Sequence, residues 1–242
     1  MNTDVAASTF DSVAFPFLLG SEGEFDNDPR DRGNWTDGAF GKQGGVLKGT
    51  KYGVASHVYP KEDIKNLTIE AARAIYRRDY ASKVAFDEQP PGIGVSVFDM
   101  CVNAGAGRSL KLFASAMNSE VTSAKGLAQI AWASSDKPAV IKQFASKRLA
   151  FYRGLKTFDV YGRGWSRRAS ECEALSIKTW LKCGANVAPA YVSAQLKKES
   201  ADSKKAAATT TTGGVATAGA EGTNVTQHDW AWNLDLTTLG QV

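Results

Sequence analysis

The sequence predicts a mainly α-helical protein, and three observations support this class. Apolar residues recur three and four positions apart along several segments between residues 68 and 181, which is typical of amphipathic helices. No convincing run of alternating apolar and polar residues indicates a series of strands. Apolar content of 43% and charged content of 22% fit an ordinary folded protein. No apolar run reaches the roughly 18–20 residues that a membrane span requires, so we expect no membrane-spanning helix.

The first predicted helices follow one another between residues 68 and 117. Thr68 has the position of an N-cap, and the apolar face of the helix after it consists of Ile69, Ala72, Ile75, Tyr76 and Tyr80. A second helix is predicted over Ile93–Asn103, with a stop near Gly105. A third is predicted from Ser109, and its apolar face comprises Leu110, Phe113, Ala114 and Met117.

Two longer helices are predicted in the second half of the chain. Pro138 suits the first turn of a helix, because proline lacks the N–H that would be unpaired there. The inward stripe of that helix comprises Ile141, Phe144, Ala145, Arg148, Leu149, Tyr152 and Leu155. After the residues YGRGW, another helix is predicted from about Ser166 to Leu181.

The segments outside these helices have distinct compositions. Residues 20–56 are rich in Gly, Asp and Asn, which predicts a long structured loop with room for a short hairpin within 36–56. Loops of this length in a compact domain are usually functional. Residues 200–242 begin as an Ala/Thr/Gly-rich stretch and end in HDWAWNLDLTTLGQV, which predicts a tether with a short aromatic docking peptide.

Charge is distributed unevenly along the chain. Residues 1–40 hold eight acids and two bases, residues 41–200 hold 13 acids and 25 bases, and residues 201–242 hold four acids and two bases. The basic middle would attract a polyanion: nucleic acid, an anionic membrane surface or a bacterial wall. Nucleic acid is disfavoured, because the aromatic or glycine-rich loops of known binding modules are missing.

Cysteine and histidine are too sparse for a metal site. The three cysteines fit no metal-ligand spacing, and their odd number argues against a disulfide framework, so we expect reduced thiols. The two histidines form no HExxH pattern. We therefore predict no metal and no cofactor.

Two carboxylates in residues 21–38, SEGEFDNDPRDRGNWTDG, are suited to glycosidic bond cleavage. Glu22 follows the apolar run Phe15–Leu19, and a carboxyl group desolvated by apolar surface has a raised pKa, as a proton donor requires. Asp31, nine residues later, lies in a polar turn and should stay ionised. Such a contrasting pair is what glycoside hydrolysis uses, although the spacing alone is common.

The ordered motifs around this pair resemble glycoside hydrolase family 108, lysozyme-like N-acetylmuramidases of phage endolysins and related bacterial proteins. The motifs are Glu22-Gly23-Glu24, residues 28–33 (DPRDRG) and residues 50–54 (TKYGV), followed by LTIEAARAIYRRDY (67–80). The family's second glycine is Glu24 here. The resemblance spans roughly residues 10–180 and implies a lysozyme-like catalytic lobe with a small hairpin or loop region.

The resemblance also implies roles for individual residues. Glu22 would be the general acid. Asp31 would stabilise the transition state or position water, with Glu24 as a rival for the second carboxylate. The Thr50 hydroxyl would hold the water, with Thr36 as its competitor. Trp35 and Tyr52 are further candidates for contacts with the sugar.

The second half resembles the helical peptidoglycan-binding domain that usually follows in this family. The matching segments are residues 95–113 and 147–168, although 118–129 departs from the expected pattern. Candidate wall contacts are Arg148, Tyr152, Arg163 and Trp165. The predicted domains are a muramidase domain at 10–92, a peptidoglycan-binding domain at 93–185 and the tail at 200–242.

The predicted function is hydrolysis of the β-1,4 bond between N-acetylmuramic acid and N-acetylglucosamine. The first twenty residues carry two aspartates and no lysine or arginine, so they lack the basic start of a signal peptide. We therefore expect synthesis in a host cytoplasm and action at the cell wall, as an endolysin or a virion-associated lysozyme. Alternatives are a lytic transglycosylase cutting the same bond, and a non-catalytic phage-particle or secretion-associated protein that the tail would attach.

Overall fold

The structure, a computed structural model, describes residues 8–20 and 24–183. The predicted mainly α class is confirmed: over these residues the chain forms seven α-helices and one two-stranded antiparallel sheet. The helices are α1 (Phe15–Leu19), α2 (Ile69–Tyr76), α3 (Ile93–Ala104), α4 (Ala106–Ala116), α5 (Ala124–Ala133), α6 (Lys137–Arg153) and α7 (Phe158–Cys183). The strands are β1 (Thr50–Lys51) and β2 (Val54–Ala55).

Helix α3 lies at the centre of the core. Every residue of it except Val102 is buried, which explains why its sequence is apolar on nearly all sides. The Phe98 ring contacts the ring of Phe10, from the π-helical turn Phe10–Ala14 that precedes α1, at a centroid distance of 5.3 Å. Phe86 packs edge-on against both rings. Residues from the beginning and the middle of the chain therefore share one core.

The predicted helix starts at Thr68 and near Pro138 are confirmed. The Thr68 hydroxyl accepts the Ala71 N–H at 3.1 Å, and Asp136 does the same for Ala139 at 3.0 Å, one residue before α6 begins. Each side chain pairs an N–H that the first turn of a helix leaves without a partner. Helix α2 continues through a π-helical turn, Arg77–Ala81, and short 3₁₀ turns at Ser82–Val84 and Phe86–Glu88.

Three helix predictions require correction. Helix α4 begins at Ala106 rather than Ser109, whose hydroxyl instead donates to the Val97 carbonyl oxygen at 2.7 Å. Helix α7 begins at Phe158 rather than at about Ser166. Its first turns include Gly162, where the Phe158 ring lies so close that a Cβ would be 2.6 Å from a ring carbon. Helix α5 was not predicted at all.

The predicted loop and hairpin are confirmed. Between α1 and α2 the described chain has the 3₁₀ turn Arg32–Asn34, the β1–β2 hairpin and two isolated β-bridges, and no α-helix. Tyr52 and Gly53 connect the strands with φ of 51° and 73°, as a tight two-residue hairpin turn requires. None of the helices within residues 8–20 and 24–183 is long and apolar enough to cross a membrane.

The predicted domain boundary at residues 92 and 93 stays a prediction, and Phe10 and Phe98 lie on either side of it. The predicted tail at 200–242 lies outside the described residues. Cys101 and Cys172 are unpaired and buried, and burial raises the pKa of each thiol to about 12. Both therefore remain protonated thiols near neutral pH.

Candidate active site

One carboxylate organises the loop that precedes the hairpin. The Asp37 side chain accepts backbone N–H groups from Ala39, Gly41, Gln43 and Gly45 at 2.9–3.2 Å. The hydrogen bond from Ala39, together with the other three, lowers the pKa of Asp37 to about 2. The loop is therefore held in a defined shape by a side chain that is ionised throughout the neutral range.

The base of the same loop is closed by an irregular pair of extended segments. Thr36 and Val46 exchange two hydrogen bonds: the Thr36 N–H donates to the Val46 carbonyl at 3.0 Å, and the Thr36 hydroxyl accepts the Val46 N–H at 2.9 Å. Trp35 and Leu47 form the next bridge. The Thr36 hydroxyl therefore holds the loop closed.

The hairpin is joined to residues 24–37, the carboxylate-rich loop, by a bridge between Asp26 and Thr50. Each backbone N–H donates to the other residue's carbonyl oxygen at 2.8 Å. Gly49 permits this approach, because its φ is +87° and a Cβ there would lie 2.4 Å from the Asp26 carbonyl oxygen. The bridge thus places two residues 24 positions apart side by side.

Asn34 connects the Asp26 carboxylate to the rest of the site. Its side-chain Nδ2 donates to Asp26 Oδ2 at 2.7 Å and to the Asp28 carbonyl oxygen at 3.1 Å. Its backbone N–H donates to the Asp31 carbonyl, and its own carbonyl accepts the N–H groups of Lys48 and Gly49. Asn34 is fully buried. The sequence reasoning overlooked both Asp26 and Asn34.

Asp31, the predicted second carboxylate, lies in the same loop and is half-buried. It caps the 3₁₀ turn Arg32–Asn34, with Oδ1 accepting the Gly33 N–H at 2.8 Å. One of its oxygens is therefore used in a local turn. Its catalytic role stays a prediction.

Thr50 differs from Thr36 in what its hydroxyl contacts. The residue is 3% exposed, and its Oγ1 has no hydrogen-bond partner among the described residues. A buried hydroxyl without a partner destabilises a fold, so such groups call for an explanation. This contrast favours Thr50 over Thr36 as the functional threonine, and the assignment stays a prediction.

The two aromatic candidates have different surroundings. Trp35 is half-buried, its indole N–H donates to the Pro29 carbonyl at 2.9 Å, and its ring packs on the backbone of Gly41. Tyr52 lies at the tip of the hairpin, where its carbonyl accepts the Tyr76 hydroxyl. The Lys51 ammonium is 5.2 Å from the centre of the Tyr52 ring. Both residues border the loop, and their contact with a sugar stays a prediction.

His57 adjoins this cluster and was not singled out by sequence. Burial lowers the pKa of its imidazole, against the opposing effect of a hydrogen bond with the Gly33 backbone. The Gly33 carbonyl also accepts the His57 backbone N–H at 3.2 Å and the Ser56 hydroxyl at 3.3 Å. A neutral imidazole therefore packs beside the turn that Asp31 caps.

Glu22, the predicted acid, lies outside the described residues, so the structure does not locate it. Glu24, the rival of Asp31 for the second carboxylate, is exposed. Among residues 8–20 and 24–183 no three side chains of the metal-binding types cluster in a way that could hold an ion.

Three of the four candidate wall contacts are core residues, and that interpretation requires correction. Tyr152, Trp165 and Arg148 are 0%, 1% and 2% exposed, so their side chains present no surface to a polymer. Arg148 and Arg168 form ion pairs with the buried Asp99 at 2.7 and 2.6 Å, and Arg148 Nε donates to the Tyr152 hydroxyl at 2.6 Å.

This buried cluster ties three helices together. Burial opposes ionisation of Asp99, but Arg168 and Arg148 hold the pKa of its carboxyl below the ordinary value. The Tyr152 hydroxyl donates to Asn103 Oδ1 at 2.7 Å, which links α6 to α3 again. Arg163 is exposed, and its wall contact stays a prediction.

Comparison with known proteins shows a similarity to one family over part of the chain. Residues 15–105 match the sequence profile described as Glycosyl hydrolase 108. Among solved structures the chain is similar to SagA of Brucella abortus, at 27% identity and a TM-score of 0.57, over 72% of this chain and 97% of that one. Comparison with curated proteins gives no match.

The matched segment contains α1, the carboxylate-rich loop, the hairpin and α2–α3, so the whole candidate site lies within it. Residues 15–105 of this chain are similar to glycosyl hydrolase family 108, and this similarity supports a glycoside hydrolase.

Proposed function

We propose that this glycoside hydrolase is a lysozyme that cleaves the β-1,4 bond between N-acetylmuramic acid and N-acetylglucosamine in peptidoglycan, with Glu22 as the general acid. The match of residues 15–105 to the family and the ordered motifs around Glu22 support the proposal. The observation that carries it is the bridge between Asp26 and Thr50. It brings the family-matched threonine against the carboxylate-rich loop that begins just after Glu22.

The charge distribution supports a wall polymer as the substrate. The excess of bases over residues 41–200 suits a glycan whose lactyl groups and stem peptides carry carboxylates. We further propose that the enzyme acts at the bacterial wall, as an endolysin or as part of a virion. The C-terminal tail would then attach it to a partner.

The proposed function is tested by digesting purified peptidoglycan and identifying the new chain ends by mass spectrometry. Reducing N-acetylmuramic acid ends are expected. Anhydro ends would instead identify a lytic transglycosylase, because that enzyme closes a ring on the sugar without adding water. Intact peptidoglycan would contradict both enzymatic functions.

The role of Glu22 is tested by Glu22→Gln, with Glu24→Gln as the matched control two residues away. We expect E22Q to lose clearing in a zymogram by about 10²-fold or more, the usual contribution of a general acid, while E24Q clears as wild type. Equal clearing by E22Q and wild type would refute the assignment, and loss confined to E24Q would transfer the role to Glu24.

A further inference from the structure

The side chain of Asp26 shares one side of the bridge with that of Thr50. In an antiparallel pair whose residues exchange both backbone hydrogen bonds, the opposed side chains project to the same face and lie close together. Asp26 and Thr50 form such a pair, with both bonds at 2.8 Å. Asp26 is half-buried, so part of the residue reaches the surface.

Asn34 orients this carboxylate from inside the protein. Its Nδ2 has two acceptors, Asp26 Oδ2 and the Asp28 carbonyl, so the orientation of the amide is fixed. The remaining Oδ1 is buried without a hydrogen-bond partner among the described residues. The Asn34 amide is fully buried and uses both of its N–H groups in these hydrogen bonds, while its oxygen stays unpaired among the described residues. Stability alone explains such a group poorly.

The second oxygen of Asp26 has little else to bind. Among the described residues, Asp26 Oδ1 receives only a long contact, 3.4 Å, from the Asp28 N–H. Asp31, by contrast, uses an oxygen to accept the Gly33 N–H at 2.8 Å. Of the two aspartates, Asp26 is therefore the one whose carboxylate is oriented by a buried side chain, through Oδ2, while its Oδ1 makes no short hydrogen bond among the described residues.

We propose that Asp26 is a catalytic carboxylate that orients and deprotonates the attacking water, and that Asn34 is its positioning residue. This inference rests on the proposed hydrolysis of a glycan. The water oxygen bonds to the anomeric carbon as the bond from that carbon to the departing sugar oxygen breaks. One water proton passes to Asp26, the general acid protonates the departing oxygen, and Asp26 later releases its proton to solvent, so one water is consumed.

The first experiment compares Asp26→Asn, Asp31→Asn and Asp28→Asn on soluble glycan fragments. D28N is the matched control, because Asp28 lies in the same loop and pairs with the exposed Arg30. We expect D26N to lower kcat at least 100-fold with KM changed less than threefold, and D28N to retain at least half of the wild-type kcat. Near-wild-type kcat in D26N would overturn the inference.

A second experiment separates chemistry from structure. Formate added to Asp26→Ala should restore part of kcat in a concentration-dependent manner, because a small carboxylate can occupy the vacated position. It should leave Asp31→Ala unchanged. Rescue of D31A but not of D26A would transfer the role to Asp31, and rescue of neither would overturn the assignment of Asp26 as the base.

The positioning role is tested by Asn34→Asp, which keeps the shape of the side chain. It would place a second carboxylate at the 2.7 Å position, where two like charges hold a shared proton more tightly. The acidic limb of the kcat/KM profile should therefore move up by about one pH unit or more. If the acidic limb of the kcat/KM profile does not move and kcat is normal, the positioning role of Asn34 is refuted. If N34D does not fold, the formate experiment on D26A is the deciding measurement.

The N34D substitution leaves the other charged groups on the flanking segments unchanged. Asp28 pairs with Arg30, and the ammonium groups of Lys48 and Lys51 donate to backbone carbonyls of Pro60 and Lys65. Wild-type enzyme is assayed for reducing ends alongside the variants. A wild type that releases none would overturn the proposed function and this inference together, whereas an active D26N would overturn this inference alone.

Discussion

Replacing Thr50 with valine should make the protein more stable and less active. Valine keeps the branched shape and replaces the buried Oγ1, which has no hydrogen-bond partner within residues 8–20 and 24–183, with a methyl group. An unsatisfied buried hydroxyl costs about 1–3 kcal/mol, so we expect T50V to gain about 1 kcal/mol. For a protein of this size that raises Tm by roughly 2–4 °C. Loss of a group that orients a reacting water should lower kcat by about 10²-fold.

Thr179 supplies the matched control for this variant. It is also 3% exposed, but its hydroxyl donates to the Leu175 carbonyl at 2.8 Å within α7. T179V should therefore lose about 1 kcal/mol and keep its activity. The measurements are Tm by calorimetry and kcat on peptidoglycan fragments. If T50V were destabilised like T179V, the hydroxyl would be paired in solution and the reasoning would fail; unchanged kcat with a higher Tm would remove Thr50 from the site.

Four further predictions concern the fold. Asp99→Asn would leave two buried arginines without their carboxylate and should cost about 3–5 kcal/mol, seen as a fall in Tm of roughly 10 °C; a fall under 2 °C would contradict it. Gly92→Ala should cost more than about 2 kcal/mol, because φ is +85° and the Cβ would meet the Ser176 carbonyl oxygen at 2.2 Å. Gly107→Ala, whose Cβ meets nothing within 4 Å in α4, should gain about 0.5–1 kcal/mol. The Asp37 pKa, lowered from 3.8 to about 2, means that its stabilisation is complete above pH 4 and lost as the pH falls towards 2. Amide exchange in the loop should therefore differ between wild type and Asp37→Asn at pH 5 and converge near pH 2, and a constant difference would refute this.

Sequence periodicity predicted the helices whose packing is decided by their own apolar stripes. Thr68 and Pro138 identified the starts of α2 and α6, because capping and proline geometry are local effects. The start of α7 was predicted eight residues late, because its first turns contain two glycines. Gly162 is accommodated there through close packing of Phe158, and the pattern of polar and apolar residues does not record that contact.

The same contrast between local signals and long-range contacts applies to the candidate site. The resemblance identified Asp31 and Thr50 by their positions in sequence motifs. Asp26 was missed because its place in the proposed site depends on a bridge to Thr50, 24 positions away. Arg148 lies on the apolar stripe of α6, yet it was predicted as a wall contact, and it is buried. Its partner Asp99 is on another helix, so the reason for the burial was not visible in the local sequence.

The Asp37 loop has a consequence for how this enzyme can diversify. Four backbone amides converge on one carboxylate, and backbone amides are present whatever side chains the loop carries. Lys42 is exposed and contributes no amide to that set, so it can vary without loss of the loop's shape, whereas the φ of 57° at Phe40 restricts which residues can replace it. The loop is a ready location for randomised libraries that seek altered glycan selectivity on an unchanged catalytic frame.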